Sequence, residues 1–268
     1  MFERPPPERT ASSGHDGIPA LLLLYHGCDD ARVNLRRALV VGATSTIGRG
    51  LALELAALGH DLVLWGRRTD ELAVTAARVE DAGVGVQTAT VDVTDPAQLR
   101  AAVQALTGAP LQAAVWTPGL FDWGRADHAD PEAWRRLMEV NVTAPAVFTA
   151  LVAPLLVASA PSALVYLGSG AGHQAYSHNA AYVASKHGLT GLARATFLDL
   201  RDADVKVSLI SPGLVAAGGG LLSPAGQQRP DELLAVADVA AALRFVVTSS
   251  PACCPTEIHL QPQRSPDR

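Results

Sequence analysis

The sequence predicts one α/β domain, a doubly wound parallel sheet of seven strands with helices on both faces. Three observations predict it. Short apolar runs of strand length alternate with helix-period segments from Ala38 to Leu260. The first apolar run passes through a glycine turn straight into an amphipathic helix. No linker rich in Gly, Ser or Pro separates Leu39 from Leu260. Repeated strand–helix units need right-handed crossovers, which put helices on both sheet faces and bury the strands. A chain of 268 residues, 49% of them hydrophobic, suffices for that core.

Taken in order, Ala38 to Val41 is a short buried strand, and Ile47 to Leu58 an amphipathic helix stopped by Gly59. Asp61 to Trp65 and Thr69 to Ala82 form the next strand and helix, followed by Val86 to Val91 and Pro96 to Leu106. Ala113 to Trp116 is strand. Pro131 to Ser159 is a long helical stretch that can be broken near Pro154, because proline removes a backbone donor. Ser162 to Leu167 is strand, Ala180 to Leu200 helix and Val205 to Ile210 strand; helix lies within Asp231 to Thr248, and Glu257 to Leu260 is the last strand.

Residues 1–37, with Pro5-Pro6-Pro7, are expected to be an extension outside this domain, mobile or packed on its surface; 38–262 is the domain and 263–268 a tail. The apolar run Ile18 to Leu24 is interrupted by Pro19 and too short to span a bilayer, and no basic segment precedes it as in a secretion signal. A net charge of -5 argues against nucleic acid or an anionic membrane as partner. Cys28, Cys253 and Cys254 have neither disulfide-framework nor metal spacing, so no metal site is expected and a reducing cytoplasm is the expected setting.

The first strand runs into "VVGATSTIGRG". Gly42 and Gly48 are placed so that the backbone can approach a pyrophosphate held at the helix N-terminus by Thr44, Ser45, Thr46 and Ile47. The middle glycine usual in such turns is replaced by Thr46. After the second strand, Gly66 stands where a carboxylate would hold a ribose 2′-hydroxyl, and Arg67 and Arg68 follow. A guanidinium grips a phosphate rather than a hydroxyl, so the expected cofactor is NADP(H) in preference to NAD(H). Asp92 and Val93, after the third strand, are placed to meet the adenine edge, beside a helix cap at Asp95.

Only two lysines occur, Lys186 and Lys206, among 21 basic residues. Lys186 follows Tyr182 at i+4, so both share a helix face. An ammonium fixed beside a phenol is expected to lower the phenol's pKa and yield a proton donor usable near neutral pH. Ser169 lies thirteen residues before Tyr182, at a strand end, where its hydroxyl could hold a carbonyl oxygen.

On Ser169…Tyr182-x-x-x-Lys186, the glycine turn, Asn141 in "MEVNVTAPAVF" and "SLISPGLV", the chain resembles the short-chain dehydrogenase/reductase (SDR) family over roughly residues 38–262. The resemblance implies a Rossmann-type domain and a cytoplasmic NADPH-dependent carbonyl reductase, or alcohol dehydrogenase in reverse. It implies that Tyr182 is the general acid/base, Ser169 orients the carbonyl, Lys186 binds the nicotinamide ribose, and Asn141 holds a proton-relaying water. Pro212, Gly213 and Val215 would border the nicotinamide, and Gly119 the turn after the fourth strand. It further implies a homotetramer or homodimer formed through the helices that carry Asn141 and Tyr182, around Ala144 to Val157 and Ala180 to Ala195. The sequence departs from the family at Trp116-Thr117-Pro118, where Asn-Asn-Ala is usual, and at Ala216-Ala217, where a threonine is frequent; Ser211 or Ser223 could replace that hydroxyl. The alternative reading is a cofactor-binding protein with a regulatory or scaffold role.

The expected substrate is a small molecule bearing a carbonyl or alcohol. A glycine-rich loop from Leu214 to Arg229 is expected to cover it, with Trp123, His173, Gln174, Tyr176 and His178 nearby. That loop carries no cation before Arg229, which disfavours a highly anionic substrate.

Overall fold

The computed structural model describes residues 36–264; most of the expected N-terminal extension, with Cys28, and the end of the tail lie outside the described residues. Seven strands form one parallel sheet: β1 (Arg37–Val41), β2 (Asp61–Gly66), β3 (Val86–Thr90), β4 (Ala113–Trp116), β5 (Ser162–Leu167), β6 (Val205–Pro212) and β7 (Glu257–Leu260). Their order is β3-β2-β1-β4-β5-β6-β7. The order reverses direction between β1 and β4, and a crevice opens there at the C-terminal strand ends.

Strand side chains alternate between two cores, as the pleat requires. Ala38, Val40, Leu62, Leu64, Val115 and Val165 face a core shared with α1 (Thr46–Ala57), α2 (Thr69–Glu80) and α9 (Val236–Thr248). Leu39, Val41, Trp65, Trp116, Leu164 and Tyr166 face the other, built with α3 (Pro96–Gln104), α5 (Ala144–Ala158) and α6 (Ala180–Leu200). Phe148 of α5 packs there against Trp116, ring centroids 4.9 Å apart, and edge-on to Trp65 at 6.3 Å. Both tryptophans are fully buried.

Caps set the helix starts. Ser45 accepts from Gly48 N at the start of α1, and Asp95 accepts from Ala97 N and Gln98 N ahead of α3. Asp130 accepts from Glu132 N ahead of α4 (Pro131–Met138), with proline at the first helical position as at Pro96.

Pro131 to Ser159 does not break at Pro154. That proline sits inside an unbroken α5 with its ring exposed. The irregularity lies instead at Glu139–Thr143, a π-helical turn between α4 and α5 that contains Asn141; such single turns accommodate one extra residue and are frequent at functional sites. The run Pro131–Ala158 is, among the described residues, the one helical stretch long and apolar enough to cross a membrane by length and composition, yet Phe148, Val152 and Leu156 of it are buried against the sheet. The last helix, Val236–Thr248, lies within the expected span, and Pro230–Glu232 form a separate 3-10 turn ahead of it. The expected substrate loop contains two short helices, α7 (Gly219–Leu222) and α8 (Pro224–Gln228).

Candidate active site

Two adjoining clefts occupy the crevice, one of about 1110 Å³ and one of about 910 Å³. Both are lined by Ser45, Thr117, Gly119 and Leu120. Gly42 leaves β1 at φ 84°, and a Cβ there would lie 2.3 Å from Thr117 Oγ1. A Cβ on Gly48 would lie 2.2 Å from the Gly42 carbonyl oxygen. The two glycines therefore let the turn fold tightly onto α1. Gly42, Thr44 and Ser45 line the larger cleft, and Ser45, Thr46 and Ile47 the smaller; Gly48 is buried beneath them and lines neither. Thr46 projects from the exposed start of α1, where helical N–H groups have no intrahelical acceptor.

The altered turn after β4 makes its own bonds. Thr117 Oγ1 donates to the Val41 carbonyl at 2.7 Å, and Thr117 N donates to the same oxygen at 3.1 Å. The usual amide at this position is replaced by a hydroxyl that still ties β4 to β1.

Arg67, Arg68, Asp92 and Val93 line the far end of the larger cleft. Arg68 donates to the Thr44 carbonyl at 2.7 Å, so it braces the turn. Asp92 Oδ1 accepts from Thr94 N at 3.0 Å and Thr94 Oγ1 at 2.8 Å. These two hydrogen bonds hold the Asp92 carboxyl below its ordinary pKa, with Arg67 adding a smaller favourable field. Arg135, Arg136, Glu132 and Glu139 also line this cleft. Sequence reasoning missed them. Pro131 marked where the helical stretch begins, but only the crevice position, beyond β4, reveals that its first turns face the cleft.

Ser169, Tyr182 and Lys186 come together in the smaller cleft. Ser169 follows β5 with extended backbone and caps a 3-10 turn, its Oγ accepting from Ala171 N at 3.2 Å. Lys186 is 5% exposed, and its Nζ lies 5.8 Å from the Tyr182 ring centroid and donates to the Leu167 carbonyl at 3.2 Å. Burial lowers the Lys186 pKa to about 8. The expected lowering of the Tyr182 pKa is not what the structure gives. Burial pushes the phenol up, and a hydrogen bond with the Ser169 side chain only partly opposes it. The ammonium is itself desolvated and turned to a backbone carbonyl, so its field does not offset the loss of water around the ring.

Asn141 is 1% exposed and does not line either cleft. Its Oδ1 accepts from Leu120 N at 2.8 Å, and its Nδ2 donates to the Leu120 carbonyl and to Ser185 Oγ, both at 2.9 Å. The π turn aims this amide at the β4 turn, where it acts as a clamp. Asn141→Ala breaks three hydrogen bonds and strands two backbone groups of Leu120. At about 1 kcal/mol each, stability should fall by about 2–4 kcal/mol, read as a lowered urea midpoint with unchanged slope.

Pro212, Gly213, Val215 and Ala217 line the smaller cleft, with Gln261 and Pro262 beyond the last strand. Phe121 stacks edge-on against Tyr182 at 4.9 Å and lies 5.9 Å from Trp123. Gln174 and Tyr176 line this cleft as expected, whereas His173 and His178 do not. Ser211 is buried and its Oγ pairs with His173 Nε2 at 2.9 Å, so it does not stand in for the missing threonine. The Ser223 hydroxyl caps α8, accepting from Gly226 N and donating to the Gly220 carbonyl.

The residues fit a dinucleotide. A helix N-terminus opens midway along two joined clefts, arginines stand at one end, and a lysine, a phenol and a hydroxyl stand at the other.

Comparison with known proteins agrees. Residues 36–220 match the family model described as short chain dehydrogenase. The chain is 34% identical over 182 residues to a Streptomyces violaceoruber protein assigned as ketoacyl reductase 1 of the granaticin polyketide synthase, covering 66% of this chain and 67% of that one. It is 31% identical over 192 residues to the trans-4-hydroxycyclohexanecarboxylate dehydrogenase of Sinomonas cyclohexanicum, covering 69% and 74%. Among solved structures, a metagenomic short-chain oxidoreductase in complex with NADP superposes with TM-score 0.74 at 25% identity, covering 86% of this chain and 98% of that one.

Proposed function

The chain belongs to the short-chain dehydrogenase family, NAD(P)-dependent oxidoreductases of CH–OH and C=O groups, and from that premise we propose that it is an NADPH-dependent reductase of uncharged ketones. The observation that carries this reading is the lining of the smaller cleft. Ser169, Tyr182 and Lys186 share it with Phe121, Trp123, Tyr176, Leu214 and Val215, and Lys186 is its one charged residue among those described. A carbonyl compound with a cyclic or aromatic body matches such walls. Two relatives support a ketone or a ring-borne alcohol, one assigned to ketoacyl reduction and one to a hydroxycyclohexanecarboxylate; the second substrate carries a carboxylate, so the preference for an uncharged ketone rests on the cleft lining alone.

A nicotinamide held in the crevice would supply the hydride. The chain's residues do the rest. Ser169 Oγ holds the carbonyl oxygen, and Tyr182 Oη gives it a proton. Burial keeps that phenol protonated and therefore loaded as an acid. Lys186 provides the nearby positive charge and a donor for a ribose hydroxyl. Gly42, Thr44, Ser45 and the start of α1 would take the pyrophosphate, with Gly48 packing the turn beneath them, Asp92 and Val93 would meet the adenine edge, and Arg67 the 2′-phosphate.

The test is loss of NADPH absorbance with a panel of uncharged cyclic and aromatic ketones, with Tyr182→Phe as control. Turnover that disappears in the variant supports the reading. NADPH binding without turnover on the whole panel would favour a regulatory, cofactor-sensing role. For cofactor choice, Arg67→Ala should raise the NADPH dissociation constant about 10- to 100-fold, the worth of one charge-assisted contact, and leave NADH within about twofold. Equal weakening of both would remove Arg67 from the 2′-phosphate.

The half-buried apolar face of Val147, Leu151 and Leu155, next to exposed Val157, fits a homodimer or homotetramer packed through α5 and α6. Sedimentation velocity should give a multiple of the chain mass; a monomer at working concentration would overturn this.

A further inference from the structure

A second cluster of chemically capable side chains lies outside both clefts. His173, Glu257 and His259 place one imidazole nitrogen or carboxylate oxygen each within 4.8 Å of one another. His173 Nδ1 is 3.7 Å from Glu257 Oε2, and His259 Nε2 is 3.5 Å from the same oxygen. Tetrahedral zinc bonds of about 2.0–2.2 Å put neighbouring ligand atoms about 3.3–3.6 Å apart. Both nitrogen–oxygen pairs stand near that separation, and the two imidazole nitrogens lie within 4.8 Å of each other.

The supports match those of a metal centre. Glu257 and His259 are at i and i+2 on edge strand β7, so both project from one side of it. His173 follows the 3-10 turn that begins after Ser169. Its Nε2 pairs with the hydroxyl of fully buried Ser211 at 2.9 Å. That bond fixes the ring and leaves Nδ1 toward Glu257, the outer-shell arrangement that ligating histidines use. Arg194 holds the carboxylate from the other side, Nε to Oε1 at 2.6 Å, with a longer contact of 3.2 Å to Oε2. The longer contact is the one a cation on Oε2 would displace, while Oε1 keeps its partner.

We propose that His173, Glu257 and His259 form a binding site for a zinc-type divalent cation, with water as fourth ligand. Two imidazoles and one carboxylate are a donor set for Zn²⁺ rather than for Mg²⁺ or Ca²⁺. The site ties the segment after Ser169 to the edge strand. It is independent of the reductase reading, since none of the three residues lines the clefts. Linear spacing concealed it, because one ligand lies far upstream of the other two.

The experiment uses the full chain, stripped of metal and dialysed against zinc chloride at micromolar concentration, with bound zinc counted and located by anomalous scattering in zinc-soaked crystals. Expected are about one zinc per chain, a peak between the three side chains, and affinity lowered at least tenfold in His259→Ala and in His173→Ala. His259 is half exposed, so its replacement leaves the fold intact; Ser211→Ala, which touches no metal, should lower affinity about 10-fold or more. No retained zinc, undiminished affinity in His259→Ala, or a peak only at Cys253 and Cys254 would each overturn the site. The readout is zinc and not turnover, so the reductase proposal stands or falls separately.

Discussion

Tyr182→Phe is expected to lower kcat for ketone reduction by about 10³-fold or more, near the upper part of the range for a lost general acid, while the NADPH dissociation constant stays within about threefold. The change removes one oxygen and leaves the ring. The edge-on contact with Phe121 at 4.9 Å persists, so the cleft wall keeps its shape. The lost atom is the one whose proton the carbonyl oxygen needs. Steady-state rates together with cofactor titration separate the outcomes. A variant as fast as the parent would remove the phenol from the chemistry, and one that no longer binds NADPH would make its role structural.

Lys186→Met is expected to act in opposite directions on activity and on stability. Turnover should fall about 100-fold or more, because the cleft loses its one cation and the donor for a ribose hydroxyl. The fold should tolerate the change. Lys186 Nζ has only the Leu167 carbonyl as a hydrogen-bond partner, and no carboxylate among the described residues is within ion-pair reach. A buried cation without a counter-ion is a burden, and its pKa of about 8, against 10.5 for a free lysine, measures it. The unfolded chain binds this proton more tightly than the folded one. Between about pH 8 and 10.5 the unfolded state therefore carries the extra proton, and stability rises with pH. Below pH 8 the penalty is complete, about 3 kcal/mol from the shift. Urea unfolding at several pH values should show this rise in the parent and lose it in Lys186→Met. A parent slope that the variant retains would assign the proton to another group.

Much of this was legible in the chain. The strand and helix order followed from periodicity, because the five inner strands are buried along nearly their whole length and the longer helices bury one side against the sheet. The spacing of Ser169, Tyr182 and Lys186 placed them in one cleft, since a strand end and a single helix face leave few other arrangements. What escaped has physical causes. Pro154 is a point where the helix could break, but a proline ring on an exposed face costs only one backbone bond and the helix runs through it, whereas the π turn at Asn141 has no compositional signature. The phenol shifted the other way because burial cannot be read from spacing. Arg135 and Arg136 became visible only once the sheet order put α4 against the crevice.

The bond from Thr117 to Val41 has a consequence for how this chain can vary. The Thr117 hydroxyl fills the volume that any side chain on residue 42 would claim, and Gly42 has a left-handed backbone besides. The two positions, distant in sequence, are locked as a pair. In a saturation library a residue larger than glycine at 42 should survive only together with a smaller partner at 117, and then only at the cost of the strap between the two central strands.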